Sequence, residues 1–260
     1  MKKLFACLAA VGVLATVPFA ADAGKLTVAC TPVPHGDILR HITPDLKARG
    51  VDLKILEFSD YVSPNVALDA GEVDANYYQH GPLLTNAVKN RGLKIVGVAP
   101  IHILPMAAYS DKLQDIRKVR KGGKVAIPND PSNGGRALLL LQSAGLIKLK
   151  PDAGVTASPL DIASNPKRLR FVEVEAAQVP RTIPDVDIAV ANSNYAIAVG
   201  LNPVKDSKFL ESSDSPYAVL VATRKGNENN PDVKALVDVL RSQKVKDYMK
   251  RYEGSVIPVF

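Results

Sequence analysis

His102-Ile103-Leu104-Pro105-Met106-Ala107-Ala108-Tyr109 is an apolar, extended run with a proline near its start, and Ser215-Pro216-Tyr217-Ala218-Val219-Leu220-Val221-Ala222-Thr223 is a second run of the same kind. Each reads as a strand whose proline sits where a missing N–H donor is tolerated. The two runs divide the chain almost symmetrically, so they read as crossings between two lobes rather than as parts of one long sheet. Around them, short β-branched runs at residues 26–29, 53–58, 95–98, 124–127, 169–174 and 187–191 are expected as buried strands. The spacing predicts helices over 35–48, 62–70, 81–90, 135–144 and 194–199, with a short turn at 182–185. Residues 231–252 read as one helix returning to the first lobe, with Val233, Leu236, Val237, Leu240 and Val245 on one stripe. This alternation calls for parallel sheets covered on both faces.

The expectation is a hinged α/β protein with a ligand cleft between its lobes. Residues 24–104 and 213–260 form the first lobe, and residues 105–212 form the second. A chain of 260 residues with 47% hydrophobic and 23% charged composition buries a core of its own and is neither disordered nor a disulfide-stapled miniature. Tryptophan is absent and aromatics make up 5%, so each aromatic outside the core is a binding candidate. The net charge is +7. Its densest stretch, residues 112–124, mixes Arg117, Lys118, Arg120 and Lys121 with Asp115 and has no interleaved aromatics, so it reads as a solvated face and not a nucleic-acid surface.

Met1-Lys2-Lys3, an apolar run over residues 4–20 and Ala21-Asp22-Ala23 before Gly24 form the pattern of an export signal cleaved after Ala23. Cys7 follows Lys3 by only four positions, too close for a hydrophobic segment to precede a lipidated cysteine, so a lipid anchor is not expected. Cys30 then stands alone and reads as a buried strand residue.

No nucleophile elbow, phosphate loop, dinucleotide fingerprint or Cys-x-x-Cys pair is present, and His35 and His41 fall on different sides of one helix, so neither a catalytic, a cofactor nor a metal site is expected. The informative segment is Pro128-Asn129-Asp130-Pro131-Ser132-Asn133-Gly134-Gly135-Arg136, a polar loop between a strand and a helix. Free N–H groups at a helix start attract a carboxylate. Gly134 and Gly135 permit close approach, Arg136 adds a bidentate fork, and Asn133 serves as cap or as ligand contact. A plain turn capped by Asn133 is the alternative. Asp74-Ala75-Asn76-Tyr77-Tyr78-Gln79-His80 is a second cluster, with Tyr78 and His80 at spacing two as a pocket wall or as core packing.

These residues resemble the methionine-binding lipoprotein family, the NlpA-like substrate-binding proteins of methionine ABC transporters. The resemblance is carried by Phe58-Ser59-Asp60-Tyr61-Val62-Ser63-Pro64-Asn65, by both segments just quoted, and by Ala191-Asn192-Ser193-Asn194-Tyr195-Ala196. It implies a two-lobed periplasmic-binding-protein fold of type II and a monomer that hands a free amino acid, methionine, to a membrane permease with a cytoplasmic ATPase. By family role, Arg136 and Asn133 hold the ligand carboxylate, Asn192 bonds its polar backbone, and Tyr61, Tyr78 and His80 wall the side chain. The chain departs from the pattern at Leu83, where methionine-binding relatives carry a tyrosine, and at Val219, where they carry an asparagine beside the amino acid's polar end. A methionine analogue, a methionine-containing dipeptide or another apolar amino acid also fits these substitutions. A periplasmic hydrolase is the remaining class, without an activated serine or cysteine to support it.

Overall fold

The computed structural model describes residues 24–260; the expected export signal, with Cys7 and the Ala23 cleavage site, lies outside the described residues. The first segment runs β1 (Gly24–Cys30), α1 (Asp37–Ala48), β2 (Val51–Glu57), α2 (Ser63–Ala70), β3 (Ala75–His80), α3 (Gly81–Arg91) and β4 (Ile95–Ile103). The second runs β5 (Ala107–Tyr109), β6 (Lys124–Pro128), α4 (Pro131–Ser143), β7 (Lys148–Leu149), β8 (Ile162–Ser164), β9 (Arg170–Val174), β10 (Ile188–Ala191), α5 (Ser193–Ala198), α6 (Pro203–Asp206) and β11 (Phe209–Leu210). The chain then returns through β12 (Ala218–Arg224), α7 (Pro231–Leu240), α8 (Gln243–Met249) and β13 (Ile257–Pro258).

A six-stranded sheet has the order β13-β4-β12-β3-β1-β2, and a five-stranded sheet has the order β11-β5-β10-β6-β9. Alternation along β1 sends Leu26, Val28 and Cys30 into a core shared with α1, α7 and α8, while Ala29 faces α2 and α3. In the second sheet Val125 and Ile127 face α4, and Ala126 faces Val179, Ile183 and Ala196. Burial pushes the Cys30 thiol up to about 12, so it is a packed apolar group rather than a reactive one.

Several sequence expectations are corrected here. The sheets are mixed, not parallel: β12 is antiparallel to both β3 and β4, and β5 is antiparallel to β10. The physical reason is the hinge, since a chain that leaves a lobe through β4 and re-enters it through β12 must reverse direction. The run 102–109 is not one strand; it breaks at Leu104–Met106, and Pro105 marks the passage between sheets. The runs at 53–58 and 169–174 are sheet edges with Leu56 and Val172 exposed, not buried strands. The helix expected over 231–252 breaks at Ser242, whose side chain caps α8 by accepting from the Val245 N–H, and Val239 rather than Val237 is buried on its stripe. The turn expected at 182–185 follows a 3-10 segment, Ala176–Thr182.

Candidate functional site

The segment entering the second lobe's main helix is built differently from the sequence expectation. α4 begins at Pro131, and Asp130, not Asn133, is its N-cap, accepting from the Asn133 N–H at 2.9 Å. The first N–H groups are thereby taken by the chain's own carboxylate, so the helix start is not the carboxylate site. The two glycines also serve the fold. A Cβ on Gly134 would stand 2.8 Å from the Pro128 carbonyl oxygen, and one on Gly135 would collide with the Val155 carbonyl and approach the Ala157 nitrogen to 2.8 Å. Both listeners to that contact are backbone atoms with little room to give. Gly135→Ala is therefore expected to lower stability by about 1–3 kcal/mol, even though alanine is the better helix former by about 1 kcal/mol. A urea midpoint equal to wild type would refute this contact.

Arg136 lies one turn further along α4 and is 3% exposed. Its Nε donates to Glu211 Oε1 at 2.9 Å, and its Nη2 donates to Glu211 Oε2 at 2.5 Å and to the Leu104 carbonyl at 2.8 Å. The Tyr217 ring stacks 4.3 Å from the guanidinium carbon. The fork edge is thus occupied by Glu211, and Nη1 is the part of the guanidinium left without a protein partner among the described residues.

Opposite stands β3. The register passes from Val221 opposite Tyr77 to Leu220 opposite Gln79, so Tyr78 sits in a bulge. Tyr78 and His80 both line the cleft cavity, whereas Tyr77 is buried in the first lobe's core. The Tyr78 hydroxyl donates to the Tyr61 carbonyl at 2.9 Å, and the Tyr61 hydroxyl donates to Asn194 Oδ1 at 2.6 Å in the other lobe. Tyr195 returns the contact, its hydroxyl donating to the Ser59 carbonyl at 3.0 Å. Burial raises both the Tyr61 and Tyr78 phenols well above their ordinary values, so they stay neutral.

His80 Nδ1 accepts from the Leu83 N–H at 3.2 Å, and Nε2 lies 3.0 Å from Asn133 Oδ1. Burial, helped by the Arg136 charge, lowers its pKa to about 3, so the ring is neutral. Asn133 Nδ2 donates to both Asp130 oxygens at 3.1 and 3.0 Å, while Asn192 Nδ2 donates to Asn133 Oδ1 at 2.7 Å. Burial raises the Asp130 carboxyl, and the N–H groups of Asn133 and Ser132 oppose the rise. Asn192 is 6% exposed, and its Oδ1 is buried without a partner.

A narrow cavity gathers these groups between the lobes. Tyr61, Tyr78, His80, Arg136 and Asn192 line it, as do both departure positions, Leu83 and Val219. Asn133 is not among the lining residues: its amide is engaged by Asp130, Asn192 and His80. The sequence reading missed Glu211 and Tyr217. A buried arginine requires a counter-charge, which announces that a partner exists but not which acidic residue supplies it. The cavity presents one cationic donor, one free carbonyl acceptor and an apolar and aromatic wall, the complement of a small zwitterion with an apolar side chain.

A family model described as NlpA lipoprotein matches residues 26–260. A Salmonella typhimurium protein named D-methionine-binding lipoprotein MetQ is 46% identical over 198 residues, covering 75% of this chain and 73% of its own. A Pasteurella multocida protein named probable D-methionine-binding lipoprotein MetQ is 39% identical over 245 residues, covering 94% of this chain and 89% of its own. Among solved structures, a nutrient binding protein from Burkholderia cenocepacia bound to methionine is similar with a TM-score of 0.89 at 45% identity, over 90% of this chain and 100% of that one. The crystal structure of the methionine binding protein MetQ is similar with a TM-score of 0.87 at 38% identity, over 92% of this chain and 99% of that one.

Proposed function

The chain belongs to the NlpA lipoprotein family, and from that premise we propose that it is the substrate-binding protein of an ABC importer, capturing free methionine in the cleft and delivering it to a membrane permease. The observation that carries the reading is the pairing of unsatisfied groups in one cavity. Arg136 Nη1 receives the ligand carboxylate and the buried, unpartnered Asn192 Oδ1 receives its ammonium, while Tyr61, Tyr78, His80, Leu83 and Val219 enclose the side chain. The Burkholderia cenocepacia relative bound to methionine supports the ligand. Residues 24–104 with 213–260 are the first lobe in this proposal and residues 105–212 the second, acting as a monomer.

No chemistry on the ligand is proposed. Ser193 reaches the cavity, but its hydroxyl is committed to the Pro105 carbonyl, and no base activates it. We place the protein outside the cytoplasmic membrane, exported by the segment ending at Ala23. The relatives' name as lipoproteins favours a lipid anchor.

Mass spectrometry tests both points. Under native conditions, protein produced from Gly24 onward is expected to release methionine on denaturation. A different mass would assign another ligand to Leu83 and Val219, and an empty cleft that fails to bind added methionine in calorimetry would overturn the reading. The intact mass of protein exported from cells separates the two forms: a mass matching a free Gly24 start supports cleavage after Ala23, and a mass carrying acyl chains replaces it with an anchored form.

A further inference from the structure

We infer that Asp130, which does not line the cavity, is a positioning residue that fixes the polarity of the ammonium subsite by locking the orientation of two amides in series. The inference rests on the reading of the cleft as a free amino-acid site and adds what makes it select for the α-ammonium. The logic is one of donors and acceptors. A carboxylate only accepts, so the Asn133 amide must turn its Nδ2 toward Asp130, where it meets both oxygens at 3.1 and 3.0 Å. Asn133 Oδ1 then faces the cleft side. There it meets Asn192 Nδ2 at 2.7 Å and His80 Nε2 at 3.0 Å, two donors for its two lone pairs.

His80 satisfies the same sequence from the other lobe. Its Nδ1 accepts from the Leu83 N–H at 3.2 Å, so a neutral ring carries its proton on Nε2 and donates to Asn133. With Nδ2 of Asn192 committed to Asn133, the other end of this cavity-lining amide, its Oδ1, is left buried and without a partner. That point of the cavity accepts and cannot donate. A ligand must bring an N–H group there or leave a dry oxygen. The oxygen also answers the substitution at Val219, which lines the same cavity and offers no acceptor. Selection for the ammonium is thus imposed from two residues away, by a carboxylate that never touches the ligand.

Asp130→Asn tests this without removing the helix cap, because asparagine caps as well as aspartate. The new amide is able to donate to Asn133 Oδ1, which frees Asn133 to turn over. The first readout needs no ligand: a long-range proton–nitrogen NMR correlation of the histidine rings. It is expected to show the Nε2–H tautomer at His80 in the native chain and a mixed or altered tautomer in the variant. The second is calorimetry with methionine and with its analogue lacking the α-amino group. Asp130→Asn is expected to weaken methionine by about tenfold or more, the scale of one charge-assisted hydrogen bond, and to narrow the gap between the two ligands. Asp130→Ser, which also caps, should do the same. An Nδ1–H tautomer in the native chain overturns the relay, as does an unchanged ligand preference in both variants. If the native chain shows the Nε2–H tautomer yet binds neither compound, the relay stands and the amino-acid reading falls.

Discussion

Replacing Arg136 with alanine is expected to abolish amino-acid binding and to destabilise the fold in the same step. The guanidinium is 3% exposed and its partner Glu211 14% exposed, so the pair is largely removed from water. Alanine leaves the Leu104 carbonyl without its donor, leaves the Glu211 carboxylate with the Met106 N–H at 3.0 Å but no counter-charge, and strips the Tyr217 ring of its stacked cation. Breaking one partner of a buried pair costs about 3–5 kcal/mol of stability. Loss of the proposed Nη1 contact to the ligand carboxylate is expected to cost about 2–5 kcal/mol of affinity. The two effects separate in the double variant Arg136→Met with Glu211→Met, where apolar groups of similar volume replace both charges. Stability should largely return and binding should not. Urea unfolding and calorimetry read the two quantities. Native affinity in the alanine variant would remove Arg136 from the site, and a double variant as unstable as the single one would show that the pair is not the cause.

Mild acid is expected to unfold the protein before ordinary carboxylates begin to titrate. His80 and His102 are both lowered to about 3, each chiefly by burial, and burial with the neighbouring His102 lowers His35 well below its usual value. The latter two form one cluster: Thr31 Oγ1 meets His35 Nδ1 at 2.7 Å, the Tyr77 hydroxyl meets His102 Nδ1 at 2.7 Å, and the imidazoles lie 5.3 Å apart. A lowered native pKa means that the unfolded chain binds the proton first. Stability is therefore full above pH 6.5, the ordinary histidine value, and falls with each step below it until the native rings themselves protonate near pH 3. Each such ring costs about 1.4 kcal/mol per pH unit, so His80 and His102 alone remove about 4 kcal/mol by pH 5, a large part of a typical domain's stability. Asp130 acts in the opposite sense, since its raised carboxyl takes up a proton earlier in the native state. Unfolding free energies equal at pH 7 and pH 5 would contradict the neutral, buried state of these rings.

The sequence exposes most of the architecture because the strands and helices rest on local periodicity and on prolines with definite tolerances. Residues 26–29, 62–70 and 124–127 fall within or close to β1, α2 and β6 for that reason. What stays hidden depends on partners distant in the chain. Edge strands β2 and β9 look buried because their apolar content resembles that of the central strands, and only the sheet order reveals which side lacks a neighbour. Seven of the eight singled-out positions, all except Asn133, line one cavity. The error at Asn133 has a clear cause: Asp130 is the residue before Pro131, a proline at the first helical position, and that signal places the cap earlier than the asparagine. Glu211 eludes sequence reasoning because its link to Arg136 spans 75 positions.

The place of β12 carries a consequence for the order of assembly. The second lobe's sheet draws on strands that end at Leu210, whereas β12, seated between β3 and β4, begins at Ala218. A chain that appears N-terminus first can complete the second lobe while the first is still split along that seam, with Tyr77 and His102 lacking their partners Val221 and Val219 on β12. The keystone arrives among the last strands, followed by the two helices that cover β1. Until then the first lobe lacks the strand that joins β3 to β4, and its core stays open along that seam.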